Sequence, residues 1–182
     1  MAGHQAGAIA PTGQNPFLRA VAALSTLAGW ISAAMIVASV FITCQMIWIR
    51  FVMNGNTFWQ TEAVIYLMIA ATLLGLSYVQ RLRGHVNVDL IPLALPRRAR
   101  KGLAVVTLTL SIIIVAVMVW YGYEFWHVAW ARGWTSESVW AIKLWIPYLA
   151  VPVGLGLFLL QLIADFVALV LDIDAPFGLE DA

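Results

Sequence analysis

From Ala20 to Ile49 the chain carries no charged residue, and three more uncharged stretches follow: Ala63 to Gln80, Gly102 to Tyr123 and Leu144 to Ala164. Each is closed off by charge at both ends, in turn Arg19 and Arg50, Glu62 and Arg81, Lys101 and Glu124, Lys143 and Asp165. About 20 apolar residues in a helix cross a hydrocarbon layer roughly 30 Å thick. All four stretches come close to or exceed that length. They are continuously apolar rather than alternating, which fits helices and not the strands of a membrane barrel. The sequence therefore predicts an all-α membrane protein with four transmembrane helices, spanning about residues 20–49, 61–80, 102–123 and 144–168. The first stretch would be roughly 45 Å long as a helix, so it must tilt or project from the bilayer.

Composition supports a membrane setting. Hydrophobic residues make up 63% of the 182 and charged residues 10%, against about 25% charged in ordinary soluble domains. A chain this short cannot bury that much apolar surface within itself. The one cysteine, Cys44, lies inside the first stretch, so an internal disulfide is impossible and a packing role fits it. The first stretch is too long for the core of a cleaved signal peptide, and the segment before it holds only one basic residue. Residues 1–16, small and polar with scattered Gly and Pro, read as a disordered tail. Residues 172–182 read as a second, acidic tail, leaving 17–171 as the membrane domain.

Lys and Arg counts orient the chain. Four spans put both termini and the loop between spans two and three on one side. That side holds Arg19, Arg81, Arg83, Arg97, Arg98, Arg100 and Lys101, while the other holds Arg50, Arg132 and Lys143. The excess predicts an N-in, C-in topology, with both termini in the cytoplasm. Within the loop "RLRGHVNVDLIPLALPRRARK" the basic residues flank an apolar centre. Each flank can hold a helix end at an anionic membrane surface, at about 1 kcal/mol per charge. Val86, Val88, Leu90 and their apolar neighbours can form a short interfacial segment between helices two and three, with Asp89 able to pair with a flanking arginine.

Tryptophan clusters on the opposite side. Trp48 and Trp59 flank the first outer loop, and six of the nine tryptophans crowd the second. An aromatic belt at the membrane surface accounts for them. Trp126, Trp130 and Trp134 recur every four residues and would form one stripe on a helix, either anchoring the membrane surface or meeting another protein. Arg50 and Glu62 face each other across a short turn, as two solvated boundary charges or as an ion pair between helices one and two. No charge lies inside the four uncharged stretches, which argues against a complete ion pathway in this chain. Ala71 and Gly75 form a small-xxx-small pair suited to close helix contact. Pro147 suits a helix's first turn, and Pro152 should kink the last span. No phosphate loop, metal cluster or nucleophile–base spacing is present, so neither an enzyme nor a cofactor is expected. His85 and His127 motivate one alternative, a haem-binding anchor of an electron-transfer complex, although they fall on opposite faces of the membrane. A tetraspan structural protein is another.

Two blocks carry a family resemblance. The first, "FWQTEAVIYLMIAATLLGLSYVQRLRGHVNVDLIPLALPRRAR", has Trp59 and Glu62 opening a span, Gly75 within it, then Arg83-Gly84-His85-Val86 and Val88-Asp89. The second, "TSESVWAIKLWIPYLAVPVGLGLF", has Ile146-Pro147, Pro152 and Gly154 at the head of the last span. Together, over roughly residues 17–170, they resemble the small membrane subunit of tripartite ATP-independent periplasmic (TRAP) transporters. Gln60 departs from the pattern, since related proteins commonly carry a further acidic residue there. The resemblance implies a small permease subunit in a bacterial inner membrane. Its partners would be a large membrane subunit, which carries the sodium coupling, and a periplasmic solute-binding protein that delivers an organic acid. On this reading Arg50, Glu62, Gly75, Gly84, His85, Asp89, Pro147, Pro152 and Gly154 are candidate structural or subunit-contact residues. Arg81, Arg83, Arg97, Arg98, Arg100, Lys101, Trp126, Trp130 and Trp134 are candidate membrane anchors.

Overall fold

The computed structural model describes residues 15–82 and 96–171. Gly84, His85, Asp89 and Arg83, the interfacial segment expected around them, residues 1–14 and residues 172–182 lie outside the described residues, while Pro16, expected in the N-terminal tail, is the first residue of a helix. The helices are α1 (Pro16–Phe51), α2 (Gln60–Arg81), α3 (Arg97–Ala131), the single turn α4 (Trp145–Tyr148) and α5 (Ala150–Val170). Four segments are long and apolar enough to cross a membrane: α1, α2, most of α3, and Trp145–Val170.

Helix ends follow local chemistry. Pro16 opens α1 at the position where its missing N–H costs nothing. The chain leaves α1 through Asn54 at a φ of 49°, while the Gly55 N–H returns to the Ile49 carbonyl at 3.0 Å. At the end of α3, Gly133 takes the left-handed conformation with a φ of 62°. The Gly133 N–H then bonds to Trp130 O and the Trp134 N–H to Ala129 O, the paired closure of a Schellman motif. Glu124 therefore does not end the third helix, which runs eight residues past the Tyr123 boundary expected from sequence. Pro152 has no N–H to give the Tyr148 carbonyl, and helix is interrupted one residue later, at Leu149. Bonds from Leu149 to Trp145 and from Val153 to Leu149 carry the chain through the break.

α1 has 36 residues and α3 has 35, so at about 1.5 Å per residue both exceed the hydrocarbon thickness by roughly 20 Å. α2, with 22 residues, fits it closely. Antiparallel register is fixed by side chains. Thr61 lies level with Met46 at the end of the α1–α2 pair next to the connecting turn, and Arg81 with Ala22 at the opposite end.

α5 is the central helix, packed on α1, α2 and α3, while α3 leans chiefly on α5 and α4. In the most apolar window, 39% of Trp145–Val170 is buried but only 11% of α3. The core uses small residues. Leu18, Val21, Ala164 and Ala168 pack together where α1 meets α5. Ala71 lies under Ser32, whose Oγ donates to its carbonyl at 2.6 Å, so the Ala71–Gly75 pair faces α1 of the same chain. A Cβ on Gly154 would come within 2.7 Å of the Leu73 backbone, so glycine lets α5 touch α2 directly. Large side chains face outward, Trp30, Phe41 and Trp120 among them. That is the inversion expected where the surroundings are as apolar as the interior.

Candidate functional site

Two polar clasps, one near each end of the bundle, join helices through side-chain hydrogen bonds between residues far apart in the sequence. One, called the inner clasp after the topology expected from the Lys and Arg counts, joins three helices. Ser25 on α1, almost fully buried, donates to Gln161 Oε1 at 2.7 Å. Gln161 Nε2 donates to Asp165 Oδ1 at 2.8 Å, and Gln80 on α2 donates to Asp165 Oδ2 at 2.8 Å. Four residues on α5 separate Gln161 from Asp165, which places them on one helix face. A carboxylate at the membrane edge needs donors for its oxygens, and the two amides supply them.

Arg81 stands beside this group. Its Nη1 donates to the Ala22 carbonyl at 3.0 Å and to Thr26 Oγ1, and its Nε is buried without a partner. A residue expected among lipid headgroups thus directs its guanidinium at the α1 backbone. Arg97, Arg98, Arg100 and Lys101 open α3. Positive charge at a helix N-terminus opposes the helix dipole.

The other, called the outer clasp on the same expectation, is built on a hairpin. Thr135 and Lys143 form an isolated bridge, with Ser136 N–H bonded to Ile142 O and Leu144 N–H to Trp134 O. The hairpin lays Ser136 over the first turn of α2, where its Oγ donates to Glu62 Oε1 at 2.8 Å. The helix N-terminus also favours the Glu62 charge. Tyr66, one turn along, neighbours both groups. Glu62 Oε2 and Gln60 Oε1 are buried with no donor. Arg50 faces the other way, its Nε donating to Thr57 Oγ1 at 2.6 Å. The ion pair considered for Arg50 and Glu62 is not formed, because the turn after α1 and the serine hairpin each provide a nearer partner.

The tryptophan spacing is realised only in part. Trp126 and Trp130 stack with centroids 6.0 Å apart and planes 4° apart, and Trp126 Nε1 donates to the Trp145 carbonyl at 3.0 Å. Trp134 does not continue the stripe. Gly133 has turned the chain out of the helix, and Trp134 instead meets Phe125 edge-on at 6.2 Å. Trp59 and Trp140 tie the two outer loops together at 6.1 Å. His127, exposed, packs against Tyr123 and Trp130.

Gly75 and Gly154 sit at helix crossings, Pro147 in α4 and Pro152 in the first turn of α5. The sequence reading missed Ser25, Gln80, Gln161, Asp165 and Ser136. The one local signal was the four-residue spacing of Gln161 and Asp165 at the end of an otherwise apolar run. Among the described residues, no three His, Cys, Asp or Glu side chains group to hold a metal ion.

Residues 39–172 match the model of the family described as tripartite ATP-independent periplasmic transporters, DctQ component. The chain is also similar to the C4-dicarboxylate TRAP transporter small permease protein DctQ of Vibrio cholerae serotype O1 (strain ATCC 39315 / El Tor Inaba N16961). The two are 24% identical over 141 residues, which cover 66% of this chain and 61% of that protein. The match thus spans less than two thirds of the relative's length.

Proposed function

The chain belongs to the DctQ component family of tripartite ATP-independent periplasmic transporters, and on that premise we propose that it is the small permease subunit of such a transporter. In this reading it braces a large membrane subunit during sodium-coupled import of an organic acid, delivered by a periplasmic binding protein. It sits in the bacterial inner membrane with both termini in the cytoplasm, as the seven-to-three distribution of Lys and Arg favours.

The observation that carries the bracing role is how the polar groups of the spans are used. In the inner clasp Ser25, Gln80, Gln161 and Asp165 bond to one another across α1, α2 and α5. Ser32 bonds the backbone of the neighbouring helix. Thr26, Ser39, Thr43 and Thr72 bond carbonyls of their own helices. Groups committed in this way stiffen a bundle. A transport pathway instead needs polar groups that a passing ion or substrate can engage.

The test is isolation of the tagged chain from membranes that also contain the large subunit. Recovery of the two in fixed proportion is expected. A chain that purifies alone, from cells whose acid uptake survives its deletion, would contradict the assignment.

A further inference from the structure

A buried carboxylate oxygen needs a donor or a cation, and Glu62 Oε2 is buried with no hydrogen-bond partner. The surrounding bonds explain why. The Trp140 N–H donates to Ser138 Oγ at 3.2 Å, and the Ser138 N–H to Ser136 Oγ at 3.3 Å. The two hydroxyl oxygens are 3.1 Å apart, and Ser136 Oγ donates to Glu62 Oε1 at 2.8 Å. A hydroxyl has one proton. Ser136 gives its own to Glu62, so between the two serines it is Ser138 that donates. Every proton in this chain of bonds is directed toward Glu62, and the chain ends on Oε1. Oε2 receives none.

No basic side chain compensates the charge. Of the three basic residues at this end of the bundle, Arg50 bonds to Thr57, and Arg132 and Lys143 are exposed. Tyr66, one helical turn along α2, neighbours Glu62, Ser136 and Tyr148. One carboxylate among neutral hydroxyls is an all-oxygen set, the kind that hard cations take. Calcium sites use several carboxylates and magnesium keeps most of its waters, so a single carboxylate with a buried oxygen suits a singly charged ion. Glu62, Tyr66 and Ser136 are only partly buried as residues, which leaves an ion a way in.

We propose that Glu62 Oε2 binds one small monovalent cation, with the Tyr66 hydroxyl as a second oxygen ligand and Ser136 as the positioning residue that fixes Oε1. The ion is a resident part of the outer clasp and holds the hairpin to the start of α2. It is not a transported ion, because the polar groups deeper in the bundle bond to one another. Its ligands all lie within this chain, so the proposal does not rest on the functional reading above.

Sodium is the probe. The detergent-solubilised chain, exchanged into choline chloride, is titrated with sodium chloride at constant ionic strength and pH while its thermal midpoint is followed. Saturable stabilisation is expected, reaching about 3 °C at sodium roughly tenfold above half-saturation. Glu62→Gln keeps the size and an acceptor for Ser136 but removes the charge, and should abolish the rise. Tyr66→Phe should raise the half-saturating concentration about fivefold. Glu137→Gln removes an exposed charge from the same hairpin and should leave the titration unchanged. If E62Q fails to fold, the wild type and Y66F still decide the matter through tryptophan fluorescence, since Trp134 and Trp140 flank the two serines. A saturable change with sodium and none with choline is expected there, at higher concentration in Y66F. A midpoint and fluorescence indifferent to sodium, a rise retained in E62Q, an equal loss in E137Q, or a larger response to magnesium would each overturn the proposal. So would a midpoint that follows pH but not sodium, which would make the occupant a proton.

Discussion

Asp165 accepts a hydrogen bond on each carboxylate oxygen, from Gln161 and from Gln80, and so ties two turns of α5 to the last turn of α2. Asp165→Leu would leave both amide donors without this acceptor, at about 1–3 kcal/mol for each orphaned group. A clearly lower thermal midpoint of the detergent-solubilised chain is expected. Ser25→Ala removes only the donor to Gln161 Oε1 and should cost about 1 kcal/mol. Because both changes act through Gln161, the double variant should lose less than the sum of the two. At the outer end, Arg50 and Glu62 have separate partners. The reversed pair Arg50→Glu with Glu62→Arg should therefore show no mutual rescue, its loss in stability equalling the sum of the singles to within about 0.5 kcal/mol. Rescue in that cycle would restore the ion-pair reading.

At the scale of elements, α3 is the least embedded helix and the one whose ends matter most. Gly133 holds a left-handed φ that costs other residues about 1–2 kcal/mol. Gly133→Val should unwind the Schellman closure and shift Trp134 away from Phe125, which tryptophan fluorescence would report. At the other end, replacing Arg97, Arg98, Arg100 and Lys101 by glutamine should weaken the proposed cytoplasmic placement of the loop before α3. Reporter fusions in that loop would then show mixed orientation. An unchanged reporter pattern would assign topology to other signals. The helices themselves were legible in the sequence because a membrane span is a local property, a run such as Ala63 to Gln80 without charge. The extra turns of α3 were not. Glu124 resembled a boundary, but a helix that has left the hydrocarbon tolerates charge, and only Gly133 stops it. The clasps were less legible still. Ser25 and Gln161 are 136 residues apart, and nothing near either one encodes the other. They meet because Gly75 and Gly154 let α1, α2 and α5 approach closely enough for short polar side chains to reach.

At the scale of the whole molecule, two long helices flank a short, closely packed centre. α5 crosses α2 at Gly154 with backbone almost touching backbone, and the inner clasp locks the same helices near one end of the bundle. The outer hairpin covers the start of α2 near the other. The bundle offers wide apolar faces on α1 and α3 to its surroundings. These are properties of a brace. In the proposed function, a large membrane subunit is what such a brace would hold. The bracing claim is most directly tested by uptake of an organic acid into proteoliposomes holding the large subunit, given its binding protein and a sodium gradient, with and without this chain. The account predicts uptake that depends on the wild-type chain and is only partly restored by Asp165→Leu; uptake at full rate from the large subunit alone would contradict it.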